Sequence, residues 1–500
     1  MGGRLNFALN FSRHGSAHKR NPQTPLRLLL LGDFSGRRQR TDAAPSTAWR
    51  PVPVDQETLE TVLARLAPAV QTAEATFPGE KIQVSFSSLN DFHPDSLLHL
   101  DLFQKLRALR SRLQDPATFQ QAAAELRHQA LPPDPVQTAP SPAGEDDPDT
   151  LTRLLGQRPA AISSSTQTST SAESPLLSSF ISSIVQPHIV PDPDPQQAQL
   201  VSAVDAALGD CMRSFLHDEN VQDLEALWCG LSWLLSRLEL DAGDQAYLLD
   251  LTNAELTADL AGDDLTSAGL FKILEQGGPG TQPWTAIVHL ATYGPGQEDI
   301  SLLGRLGALA AHAGGPLLAA ASPELLGCRS LRTTPDQQSW TPLPAEAETR
   351  WRELRHSPQA SWIGLALPRF LLRLPYGRKG ETIDSFPFEE LSPGDPHAGL
   401  LWGHPALACA GIIARQHLET RQDGQAAEGG LELEDLPAWT YERDGQVCLM
   451  PCAETLLGQR ALHAILDRGL MPLASYPDRN AARLIRLQSI ADPPMALSGS

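Results

Sequence analysis

Several short stretches of this 500-residue chain carry residue types that could do chemistry. In LRLLLLGDFSGRRQR, residues 26–40, an apolar run stops at Gly-Asp and glycine and arginine crowd the next positions. That is the outline of a strand feeding a phosphate-binding turn. In YGRKGET, residues 376–382, Arg378 and Lys379 lie between two glycines, whose freedom lets backbone N–H groups converge on an anion. Cys448 and Cys452, with His463 beyond them, offer three zinc ligands. Acid groups at Glu389-Glu390 and at Glu432, Glu434 and Asp435 have the types needed for metal binding or general acid/base work.

Each stretch also has a plainer reading. A Walker loop needs G-x-x-x-x-G-K-[ST], which the chain lacks, and Asp33 would face any phosphate. YGRKGET also reads as a charged surface turn. A structural zinc site needs four ligands, and paired cysteines at a strand end are often buried small apolar residues. Acid pairs usually form a solvated face. No G-x-S-x-G elbow and no H-E-x-x-H occur, and the 14 histidines are scattered. No catalytic residue, metal or cofactor is expected, and the chain does not read as an enzyme.

The elements that would hold these residues suggest an α/β fold. Leu26 to Leu31 form a near-continuous apolar run, as in a strand covered on both faces. KIQVSFSSL alternates, with Ile82, Val84 and Phe86 on one face. Leu98, Leu102, Leu106, Leu109 and Leu113 line one helical face. From Val204 to Leu238 the chain reads helical, with a stripe of Leu224, Leu227, Trp228, Leu231, Leu235 and Leu238. QAYLLDLT, WTAIVHLATYG and GPLLAAAS alternate as strands with the helical stretches NAELTADLA and EDISLLGRLGALAAHAG, the pattern of βαβ units. AWTYERDGQVCLM suggests a hairpin around Asp444-Gly445.

Composition divides the chain. Residues 1–130 form one block and 200–490 another. Between them, residues 131–199 are rich in Pro, Ser, Thr and acid, a composition that cannot bury enough apolar area to fold, with short apolar islands at 151–156 and 176–185. Residues 491–500 form a tail. The expectation is two unlike α/β domains joined by a disordered linker, with a small hairpin-containing C-terminal part. The net charge of -20 disfavours binding to phosphate backbones, so no nucleic-acid partner is expected. Six scattered cysteines suit a reducing cytoplasm, and no signal peptide or membrane span is evident.

The remaining candidates are contact residues. Trp228 and Trp233 lie on or beside an apolar helix, with core packing as the plainer reading. SWIGLALPRFLLRLPYG sets Arg369, Arg373 and Tyr376 among apolar residues, where arginine pairs with buried acids or sits at an interface. Arg37, Arg38 and Arg378 complete this interface set. Arg40 shares the reading of Arg37 and Arg38, with an acidic neighbouring subunit or water as the partner.

These strings carry a resemblance. LLLLGDFSGR and IQVSFSSLNDFHPDSL resemble the small subunit of the type VI secretion contractile sheath. SFLHDENVQDLEALWCGLSWLL, LLDLTNAELTADL, WRELRHSPQASWIGLALPRFLLRLPYG, LLWGHPALACA and GLMPLASYPDRNAARL resemble its large subunit, in the family's order. The resemblance implies a fusion of two sheath subunits. It further implies self-association into a sheath around an inner tube protein, contact with baseplate components, contraction that drives secretion, and disassembly by an AAA+ ATPase. Two departures stand out. Cys229 replaces the family's usual arginine, and the sequence ends where the large subunit continues into interlocking strands. The second departure motivates an alternative, a non-polymerising sheath-derived adaptor or cap at the sheath end or baseplate.

Overall fold

A computed structural model describes residues 24–39, 49–72, 82–130, 197–241, 243–275, 283–391, 396–423, 430–443 and 445–500. The expected linker islands at 151–156 and 176–185 lie outside these residues, as do Arg40 and Asp444.

The strands, in chain order, begin with β1 (Arg27–Gly32), β2 (Val52–Val54), β3 (Ala69–Gln71), β4 (Gln83–Ser85) and β5 (Gln245–Asp250). Next come β6 (Ala286–Tyr293), β7 (Leu317–Ala321), β8 (Ile363–Leu367), β9 (Phe370–Leu371) and β10 (Trp402–Gly403). The last are β11 (Glu432–Leu433), β12 (Thr440–Arg443), β13 (Gln446–Leu449), β14 (Met471–Ser475) and β15 (Ala482–Leu484). Nine of them build one mixed sheet in the order β11-β15-β14-β8-β7-β6-β1-β5-β2. β1 pairs in parallel with β5 on one side and β6 on the other, with Leu30 opposite Leu248 and Val288. β2 closes one edge antiparallel to β5. Pro53 in that strand suits an edge, because proline cannot donate to a further ladder.

The α/β class read from the alternation is the observed one. β1, from the first block, is an interior strand of this sheet, flanked on both sides by strands of the second, and β2 forms one edge. Leu28, Leu29, Leu30 and Leu31 are all fully buried, as a strand covered on both faces demands. Leu29 and Leu31 join a core with Leu249, Ile287, Leu303 and Leu317.

By compactness the chain divides into Met1–Leu102 with Met212–Ser500, and Phe103–Cys211. Each unit draws residues from both sequence blocks. Within the second unit the Arg110 Nε donates to Asp205 at 2.5 Å, and the Gln197 amide donates to the Leu113 carbonyl at 2.6 Å. Leu106, Leu113, Leu126 and Val204 are buried there.

The helical stretch from Val204 breaks in two, as Gln197–Leu216 and Glu219–Leu235. Asp218 makes the break, capping the second helix by accepting from the Asn220 N–H at 3.0 Å and the Val221 N–H at 3.4 Å. The expected hairpin forms as β12 and β13. The C-terminal residues return to the sheet: the Ile490 N–H donates to the Ile363 carbonyl at 2.9 Å, and Gln488 donates to the Leu466 and Leu470 carbonyls.

Candidate functional site

The turn after β1 meets the helix Glu219–Leu235 and the end of β5. Asp33 takes the turn's own backbone donors, accepting from the Arg37 N–H at 2.8 Å and the Arg38 N–H at 2.7 Å. Asp250, at the end of β5, accepts from the Ser35 N–H at 3.0 Å and the Ser35 hydroxyl at 2.8 Å. Gly36 has φ +70°, and a Cβ there would stand 2.4 Å from the Ala69 carbonyl oxygen. The turn is therefore closed by the chain's own carboxylates.

Arg37 reaches across from this turn. Its guanidinium pairs with Asp250 and, at 2.9 Å, with Glu255. Burial alone would lower its pKa, but Asp250 and Glu255 raise it. Glu255 belongs to a capping box with Thr252 at the start of the helix Asn253–Asp259, which fixes its carboxylate. Arg38 is exposed and pairs with Asp223 at 2.7 Å. Trp228 is fully buried, donates its indole N–H to the Phe34 carbonyl at 3.0 Å, and meets the Phe34 ring edge to face. Its stripe position on the helix signalled this core placement, as the plainer reading held.

A second cluster lies on the same helix. The Arg373 guanidinium takes Glu225 (Nε to Oε1, 2.6 Å) and Glu390 (Nη1 to Oε2, 2.8 Å; Nη2 to Oε1, 3.0 Å). Both glutamate side chains are 1% exposed. The guanidinium also lies over the Tyr376 ring, 4.1 Å from its centre. The Tyr376 N–H donates to Glu390 Oε2 at 2.7 Å. Trp233 packs on Phe370, and the Arg237 guanidinium lies over the Trp233 ring, 4.7 Å from its centre. Arg369 is exposed and donates to Glu454 at 2.5 Å.

The YGRKGET loop holds no open anion cradle. A Cβ on Gly377 would lie 2.3 Å from Glu389 Oε2, and the Arg378 N–H donates to Glu389 Oε1 at 3.3 Å. The Gly377 N–H goes to the Glu381 carbonyl at 2.7 Å. Arg378 itself extends into solvent. Cys452 is buried with its Sγ toward the Pro437 carbonyl, and burial pushes its thiol up to about 11. Among the described residues no three His, Cys, Asp or Glu side chains converge to hold a metal ion. Glu432 receives the Tyr476 hydroxyl and Arg479, while the Glu434 and Asp435 carbonyls receive Arg237.

A cavity of about 370 Å³ opens at the carboxyl ends of β1, β5 and β6, lined by Asp33, Arg38, Asp223, Arg369 and His404 among others. Its guanidiniums are already paired with carboxylates.

Comparison with known families gives this seam its meaning. Residues 198–491 match the VipB family, the EvpB tail sheath N-terminal domain. The chain belongs to the tail-sheath family. Residues 3–130 match a second family, VipA of the type VI secretion system. The type VI secretion system sheath protein TssC1 of Pseudomonas aeruginosa is 30% identical over 306 residues, covering 59% of this chain. The chain spans 61% of that relative's length. The contacts of Arg37 with Asp250 and Glu255, and of Phe34 with Trp228, thus join the VipA-like and VipB-like blocks of one tail-sheath chain. Sequence reasoning singled out Arg37 and Trp228 but not their partners. The T-x-x-E capping box at Thr252 was a legible signal for Glu255. Nothing local marked Phe34 or Asp250, whose roles depend on pairing across more than 190 positions.

Proposed function

We propose that this chain is a structural subunit of a type VI contractile sheath in which the small and large subunits are one polypeptide. It assembles with copies of itself around an inner tube protein and drives secretion by contraction. It works in the cytoplasm, contacts baseplate components and is a substrate for an AAA+ disassembly ATPase. The carrying observation is β1 of the VipA-like block lying between β5 and β6 of the VipB-like block. Such an arrangement makes one chain equivalent to a small-large pair, with stoichiometry fixed at one to one. Among the described residues no helix is long and apolar enough to cross a membrane, which accords with this reading.

The interface set then divides by exposure. Arg37, Trp228, Trp233, Arg373 and Tyr376 act within the chain, at and around the seam. Arg38, Arg369 and Arg378 are the contacts offered to neighbouring copies. Electron microscopy of the purified full-length chain should show tubular or ring assemblies. A monomer at all concentrations and salt conditions refutes the reading. Charge reversal at Arg38 and Arg378 together should reduce assembly while the monomer stays folded.

A further inference from the structure

The cavity at the carboxyl ends of β1, β5 and β6 lies where the winding of the sheet reverses. β5, β1, β6, β7 and β8 run side by side and parallel. The chain builds β5 on one side of β1, then crosses back to build β6, β7 and β8 on the other. In an open parallel sheet the loops part at such a point and leave a crevice outside the strand ends, which is where ligands bind. Its volume of about 370 Å³ falls within the range of small-molecule sites, about 300–1,000 Å³.

The walls divide by chemistry. Leu227, Leu251, Leu290 and Trp402 give an apolar side, while Arg38, Arg369, Asn253 and Thr292 bring hydrogen-bond donors. Arg38 uses Nη2 on Asp223, and Arg369 uses Nη2 on Glu454. Among the described residues none takes the Nε or Nη1 of either guanidinium. The Arg38–Asp223 pair is 57% and 56% exposed, so another carboxylate can replace Asp223 with little loss. Arg369 is held more firmly. Glu454 accepts from its Nη2 at 2.5 Å and from its backbone N–H at 3.2 Å, and itself sits at φ +55°. A non-glycine residue in that conformation persists only where its surroundings hold it, and such strain gathers at ligand clamps.

Charge limits what fits. The lining carries two guanidiniums, Arg38 and Arg369, and two carboxylates, Asp33 and Asp223. His404, pushed down to about 4 by burial, is neutral and adds no charge. One incoming negative charge can take the place of Asp223 on Arg38, whereas a second would meet only the carboxylates. A planar carboxylate also matches the guanidinium fork. We infer that this cavity binds a small organic monocarboxylate with an apolar body, its carboxylate on Arg38 and Arg369 and its body against Leu227, Leu290 and Trp402. Arg38 comes from the VipA-like block, and Arg369 and Trp402 from the VipB-like block. The bound ligand therefore bridges the seam and stabilises it by mass action.

Benzoate is the probe, with binding followed by saturation-transfer NMR on the full-length chain. It should bind saturably and raise the thermal midpoint. Benzamide keeps the body without the charge, and acetate keeps the charge without the body. Each should bind at least about tenfold more weakly than benzoate. Arg38→Gln, at an exposed position, should weaken benzoate by a similar factor, as should Thr292→Phe, which narrows the cavity and leaves every charge in place. Lys379→Gln, at an exposed lysine outside the cavity, should leave binding unchanged. If one cavity variant does not fold the other decides, and the comparison of the three probes stands on the wild type alone. No saturable binding of benzoate, equal binding of benzamide, or binding untouched by both cavity variants overturns the proposal.

Discussion

The Trp228 indole donates its N–H to the Phe34 carbonyl at 3.0 Å, and the two rings meet edge to face with centres 5.7 Å apart. This contact ties the turn after β1 to the helix Glu219–Leu235, and so ties one sheath block to the other.

Trp228→Ala should destabilise the chain by about 3–5 kcal/mol, because it leaves a large cavity in a buried site. Trp228→Phe fills most of that volume but leaves the Phe34 carbonyl unpaired, and should cost about 1–3 kcal/mol. Denaturant unfolding of the two variants measures the difference. A loss near zero for Trp228→Phe would mean the hydrogen bond contributes little.

Arg37 and Arg38 are adjacent yet should behave differently. Arg37→Ala strands Asp250 and Glu255, carboxylates with side chains only 16% and 12% exposed, and should cost about 3 kcal/mol. Arg38→Ala breaks an exposed pair with Asp223 and should cost less than about 1 kcal/mol. Raising the salt concentration should shrink the Arg38 effect and leave most of the Arg37 effect.

Gly36→Ala should destabilise by roughly 2 kcal/mol or more, since φ +70° is strained for alanine and the new Cβ would strike the Ala69 carbonyl. Gly445→Ala shares the positive φ, at +76°, but meets nothing within 4 Å. It should cost only about 1 kcal/mol, the conformational part alone. Thermal unfolding of both variants separates collision from backbone strain.

Acid should weaken the loop around Glu454. Burial alone would raise its pKa, but His397, 3.3 Å away, and Arg369, at 2.5 Å, hold the carboxyl down to about 2. A depressed carboxyl contributes stability above its unfolded pKa and loses it as pH falls through the folded one. The contribution, about 3 kcal/mol, should therefore disappear between roughly pH 5 and 2. Glu454→Gln should lower stability at pH 7 and remove this part of the acid dependence; an unchanged acid profile contradicts the assignment.

Local patterns were legible from sequence. The leucine run at 28–31, the βαβ alternation from 245 to 321 and the hairpin around Gly445 each follow from short-range periodicity or turn chemistry. So did the order of the sheath-like motifs, and hence the family. The sequence also left two meanings open for the GDFSGRR turn, because glycine and arginine suit both an anion and an acidic neighbour. Only the tertiary structure decided between them, by bringing Asp250 and Glu255 to Arg37 from more than 210 positions away. The sequence separated two blocks because composition changes between them. It could not show that β1 completes the other block's sheet, since strand pairing is fixed by hydrogen bonds and buried area between distant segments. That pairing sets β1 of the first block inside the second block's sheet, and tertiary folding likewise brings to Arg373 two buried glutamates that no local motif connects.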